Sequence, residues 1–180
     1  MTPLEHTRAW AADVVRSGLL SPAEALSEIS GVIAVDHPDL PADATALGWI
    51  ASVADEWRLT AATWPAVTDH DRLENAFAGL GARGIVVLQG CADHWSAKAL
   101  LDDASERPRG IAWFTASDVW HAIDAGMLEV NLWHGTTANA APGDALLDEA
   151  IEAFADAGLT ACFDEGRIEV AAHWQRRPLA

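Results

Sequence analysis

The residues most able to carry chemistry are Cys91-Ala92-Asp93-His94. A thiolate and an imidazole at this spacing can share a zinc ion, which favours sulfur and nitrogen donors. One such pair is half a site, because structural zinc takes four protein ligands and catalytic zinc three plus water. The others would have to come from His121, His134, His173, Cys162 or acids, none of them placed by local spacing. Cys91, His94, His121 and His134 are therefore the candidate metal set, with zinc the ion in question, and no cofactor is assigned. Asp118 and His121 lie one helical turn apart and could act as an acid–base pair. The same helix turns Val119, Trp120, Ile123 and Met127 inward, so a solvated face is the favoured reading of that pair. His70 between Asp69 and Asp71 could hold a cation or act as a base, but helix N-termini ordinarily collect acids. Trp133-His134-Gly135-Thr136-Thr137 ends a strand in a loop, a common place for function. There is no phosphate-cradling glycine motif, no nucleophile elbow and no H-E-x-x-H, so no catalytic residue is assigned.

The elements that must position these side chains are organised around residues 64–88. Thr68 is a helix N-cap with Asp71 reaching back from the third helical position. Leu73, Ala76, Phe77 and Leu80 then make one apolar stripe. Gly84 is placed to end the helix in the left-handed conformation. Ile85-Val86-Val87-Leu88, apolar on both faces, predicts a central strand.

Upstream, three helices are predicted. The first spans Leu4 to Ser17, and the second runs from the Ser21-Pro22-Ala23-Glu24 start signal to Val35. The third runs from about Asp43 to Thr63, with a stripe of Leu47, Ile50, Ala54, Trp57, Ala61 and Trp64 that Trp49 and Val53 broaden. Downstream, a helix over Ala92 to Ser105 leads to a strand at Ile111 to Phe114. Thr115 caps a short helix that ends at Gly126, and Leu128 to Leu132 alternates as a strand with one buried face. Pro142 or Asp144 opens the last helix, with Leu147, Ala150, Ile151 and Phe154 inward and Gly158 at its end. Leu159 to Phe163 and Arg167 to His173 form a hairpin around Asp164-Glu165-Gly166. The fold class is therefore α+β, a mixed sheet of about five strands with packed helices. Residues 1–66 form an N-terminal helical region and 67–180 the α+β core of one domain over 1–180.

The pattern W-x-x-x-T-D-x-D-R-L-x-x-A-F from Trp64 to Phe77, followed by Arg83-Gly84-Ile85-Val86, resembles an uncharacterised bacterial family, domain of unknown function 6891. The similarity continues through Trp113-Phe114, Asp118, Gly126 to Leu132, Ala157-Gly158-Leu159, Arg167 to Val170 and Trp174. It covers roughly the last two thirds of the chain, and the Ser21-Pro22 region more loosely. The resemblance implies no activity. It does imply C-C-x-x-C-G just after the central strand, where this chain has Gly90-Cys91-Ala92-Asp93-His94. Only Cys91 and His94 stand in matching positions, and a loop whose metal site has decayed is the reading adopted.

With 180 residues, 51% of them hydrophobic, the chain can bury a sizeable core. Its formal charge of −16 opposes nucleic-acid phosphates and anionic membrane surfaces, so neither is an expected partner. The acids are spread without long runs, as on an ordinary acidic soluble protein. The N-terminus lacks the pattern of a signal peptide, no segment has membrane-spanning length, and two isolated cysteines read as reduced thiols. A cytoplasmic protein is expected. Its function is not legible. A non-catalytic interaction or ligand-binding protein, with a protein or small-molecule partner, is the leading expectation. A metal-dependent hydrolase around Cys91 and His94 is the alternative from another class. A third is an acidic decoy or immunity-type protein for a basic partner, motivated by charge alone.

Overall fold

Capping side chains decide where most of the helices begin. Thr2, Ser21, Thr68 and Thr115 each accept from the amide three residues on, and Glu5, Glu24, Asp71 and Asp118 bond back to the cap. These four boxes open four of the seven helices in the computed structural model, which describes residues 1–178. The chain divides into two compact units, residues 1–65 with the tail 176–178, and residues 66–175.

In the first unit, α1 (Pro3–Ser17), α2 (Pro22–Asp36) and α3 (Ala42–Ala61) pack on one another. Gly18 ends α1 in the left-handed conformation at φ 61°, which leaves room for the chain to reverse into α2. Ala11 and Val14 of α1, and Ala25, Ile29 and Ile33 of α2, are buried. On α3 the buried residues are Ala46 and Val53, with Ile50 and Trp57 partly buried, while Leu47 is 54% exposed. The expected stripe is thus rotated, because α3 carries both α1 and α2 and buries the face between them. Trp64 lies edge-on to Trp57, with ring centroids 5.0 Å apart.

In the second unit, α4 (Asp69–Ala82) buries Leu73, Ala76, Phe77 and Leu80, the stripe read from the sequence. Gly84 has φ 76°, one residue past the helix cap. The strands are β1 (Ile85–Cys91), β2 (Gly110–Thr115), β3 (Met127–His134), β4 (Thr160–Asp164) and β5 (Arg167–Ala171). They form one mixed sheet in the order β1-β2-β3-β5-β4, parallel at β1–β2 and antiparallel elsewhere. The remaining helices are α5 (His94–Asp103), α6 (Ala116–Ala125) and α7 (Ala145–Asp156). The architecture is α+β.

β1 is an edge strand, not the central one its apolar run predicts. Val86 and Leu88 pack with Ala97 and Leu101 of α5, while α4 and α6 also pack against the strand. Helices, not neighbouring strands, cover its side chains, so apolar character on both faces marks sandwiching between layers and says nothing of position in the sheet. Phe77 stands at the centre of the core, its ring 5.6 Å from Phe114 and 6.3 Å from Phe154. Trp174, 1% exposed, closes the same cluster against Phe114 and receives the edge of His70.

Candidate functional site

The four candidate metal ligands are set by local structure to different tasks. Asp93, not Ala92, starts α5, since its carboxylate accepts from the Ser96 amide at 3.1 Å. Cys91 is therefore the last residue of β1, buried at 8% exposure, with its Sγ 3.4 Å from the Phe114 carbonyl it donates to. Burial raises the thiol above its usual pKa, and the Asp118 and Asp93 carboxylates push the same way, so it is held as a thiol and not as a thiolate. His94 lies at the exposed start of α5, its ring against that of Trp95. His121 is on the exposed face of α6, while Asp118 is occupied as the carboxylate of the Thr115 capping box. The predicted acid–base pair is thus a cap and a solvated side chain. Among the described residues, no three or more His, Cys, Asp or Glu side chains gather as a metal site.

His134 ends β3, and its Nε2 lies 3.0 Å from Asp144 Oδ2. Asp144 holds the N-cap position of α7 without a side-chain cap bond; its carboxylate accepts instead from the Ala141 amide at 2.9 Å. The His134 hydrogen bond, aided by that amide, holds the Asp144 carboxyl below the usual range. The pair clasps the loop 134–144, which also folds back through Ala138 and Ala140 carbonyl and amide contacts to β3. His70, the remaining histidine of the predicted clusters, packs its ring 4.7 Å from that of Trp174, and Asp69 accepts from Arg72 at 2.8 Å and from the His173 amide at 3.2 Å.

Among the described residues, one feature able to receive a molecule lies in the first unit. α1, α2, α3 and the tail line a half-open cavity of about 300 Å³, at the small end of the roughly 300–1,000 Å³ common for ligand pockets. Its apolar wall is Val14, Leu20, Pro22, Ile50, Ala54 and Trp57. The cations around it are Arg16, Arg58, Arg176 and Arg177, four of the chain's eleven lysines and arginines. In a chain of net charge −16 that is a local reversal of sign.

Local contacts fix these groups. Trp57 Nε1 donates to the Arg176 carbonyl at 3.1 Å, which ties the tail to α3. The Arg16 guanidinium lies over the Trp57 ring, 5.7 Å from its centroid, a cation–π arrangement. Arg58 is occupied by Asp55, and Arg177 Nη2 donates to the Pro65 carbonyl at 2.6 Å. Arg16 Nε is buried without a hydrogen-bond partner among the described residues. The Arg176 side chain runs past Gly18, 3.1 Å from where a Cβ there would sit. A second hollow near the chain start, lined by His6, Asp36 and His37, is tied by Thr7 Oγ1 to His37 Nε2 at 2.9 Å.

Sequence reasoning passed over Arg16, Arg58, Arg176 and Arg177. One signal was present, the adjacent Arg176-Arg177 pair in a chain so poor in cations. Nothing local could show that the pair meets Arg16 and Trp57.

Residues 2–178 match the profile of a family described as Domain of unknown function (DUF6891). The match extends the resemblance, read over the last two thirds, to nearly the whole chain. No curated protein and no solved structure matches it.

Proposed function

The chain belongs to the domain of unknown function 6891 family, and we propose that it is a non-catalytic binding protein whose first unit receives a small, partly apolar molecule. The observation that carries this reading is the cavity of about 300 Å³ walled by Val14, Ile50, Ala54 and Trp57. A void of this size between helices removes packing contacts that a filled core would make, and an apolar occupant restores them. The buried, thiol-keeping Cys91 and the dispersed His94, His121 and His134 offer no comparable site for chemistry. A hydrolase built on Cys91 and His94 would need further ligands that the described residues do not gather. Nucleic acid is not among the proposed partners, because the net charge opposes phosphate. Among the described residues no helix is long and apolar enough to cross a membrane.

The test uses N-phenyl-1-naphthylamine, a neutral probe that fluoresces in apolar surroundings. The expected result is saturable binding of one probe per chain, abolished by Ala54→Phe in a protein that melts no lower than wild type. Absence of saturable binding, or binding unchanged in the Ala54→Phe protein, overturns the reading.

A further inference from the structure

We infer that the ligand of this cavity is an anionic amphiphile, a short apolar body carrying a carboxylate, with Arg16 as the anchor and Arg176 as its second cation. The inference rests on the binding reading above and adds the ligand's charge and its place of recognition. An apolar cavity has no need of cations, yet this one is lined by Arg16, Arg58, Arg176 and Arg177. Two of them have other duties, Arg58 with Asp55 and Arg177 with the Pro65 carbonyl. Arg16 and Arg176 take part in none of the ion pairs of the described residues.

Arg16 is the more informative of the two. Its Nε is buried with no hydrogen-bond partner among the described residues, whereas buried polar atoms are paired in the great majority of cases and each exception calls for an explanation. The Arg16 guanidinium lies over the Trp57 ring, 5.7 Å from its centroid, and a guanidinium meets a carboxylate by paired hydrogen bonds. Trp57 in turn is pinned through Nε1 to the Arg176 carbonyl. The indole, the anchor beside it and the Arg176 backbone are therefore tied together before any ligand arrives, which lowers the ordering cost of binding. The apolar wall of Val14, Leu20, Ile50 and Ala54 supplies the surface for the ligand's body. Net charge −16 repels anions at long range, so a bound anion must be held by short, desolvated contacts, which salt screens weakly.

The experiment displaces N-phenyl-1-naphthylamine from the full chain with octanoate, octan-1-ol and octylammonium, which share a tail and differ in head charge. Octanoate is expected to compete about tenfold or more better than octan-1-ol, the worth of a charge-assisted hydrogen bond in a desolvated site, and octylammonium worst. Arg16→Gln is expected to bring octanoate to within about threefold of octan-1-ol. Arg176→Gln tests the second cation in the same way, and Arg107→Gln in the second unit serves as the control for net charge. Equal competition by octanoate and octan-1-ol in the wild type overturns the inference while leaving the cavity reading intact. So does a preference for octanoate that survives both Arg16→Gln and Arg176→Gln. Failure of every amphiphile and of the probe itself to bind sinks the cavity reading, and the inference with it. Should Arg16→Gln not fold, the wild-type comparison and Arg176→Gln decide.

Discussion

The two units use the same residue types to opposite ends. In the second, large side chains fill space: Phe77, Phe114, Phe154 and Trp174 interlock, and Asp71, Asp93, Asp118 and Asp144 are spent on caps and a loop clasp. Among the described residues the indole nitrogens of Trp113 and Trp120 are buried without a partner, and the Trp113 ring is packed with Cys91, Ala97, Leu101 and Ile111. In the first, Ala11, Ala25 and Ala46 are buried beside Ile29 and Ile33, none of its aromatic rings is fully buried among the described residues, and a cavity rimmed by arginine remains. A unit packed to density resists change and offers little room for a ligand, whereas one packed around a void gives up some stability to the void and gains a place to bind. On the binding reading proposed above, that difference favours the unit where chemistry-bearing motifs were fewest.

The largest expected effect tests the filled unit. Phe77→Ala should cost about 3–5 kcal/mol, because the cavity would open between α4, β2 and α7 where little can collapse. A melting temperature within a degree or two of wild type would break the claim that this core is full. Next comes Gly135, where a Cβ would meet the Pro108 carbonyl oxygen at 2.1 Å. Gly135→Ala should cost about 1–3 kcal/mol as the two backbones are forced apart; denaturant midpoints compare the two proteins directly, and an unshifted midpoint would contradict the close approach.

Acid should act on the clasps. The Asp144 carboxyl is lowered by the His134 hydrogen bond, and Glu149 by its paired bonds to Arg109. The folded state then binds fewer protons than the unfolded chain, so their contribution is full above the ordinary carboxylate range and is lost as pH falls through the lowered folded values. Stability measured from pH 7 downward should fall in that acid window, and less steeply in Asp144→Asn. An identical acid slope in that variant would remove the clasp from the account.

In the first unit the sign should reverse. Ala54→Phe, filling the void, should raise stability by about 0.5–2 kcal/mol, and a loss of stability instead would show that the space is already packed. The smallest effect is expected at His94, exposed at the start of α5. His94→Ala should leave stability within about 0.5 kcal/mol, with or without chelator. A large drop in melting temperature on chelation of the wild type would instead restore the metal reading for Cys91 and His94.

What the sequence made legible was what depends on neighbours in the chain. Thr68, Asp71 and Gly84 mark the two ends of α4, and the hairpin turn at Glu165 and Gly166, both at positive φ, sits where its turn residues put it. Strand order was not legible: β1 reads as central because helices on its two faces mimic flanking strands. The start of α5 was misplaced because Asp93, two residues beyond the observed strand end at Cys91, is the cap. The cavity was invisible for a different reason. Val14, Ile50 and Arg176 are brought together by the packing of three helices and a tail, and concavity leaves no periodic or spaced pattern. The motif that drew most notice, Cys91 to His94, is split by the strand end and the helix cap into one buried and one exposed side chain.

The most direct test of the account reads all nine tryptophans at once, through their indole N–H signals in a proton–nitrogen correlation spectrum. Octanoate titrated into the protein should move the Trp57 indole signal along a saturable curve, because that N–H bonds the Arg176 carbonyl at the cavity wall. The signals of Trp113, Trp120, Trp133 and Trp174 should stay in place. A saturable shift at the second unit's indoles with Trp57 unmoved would place the ligand in the wrong unit and contradict the account.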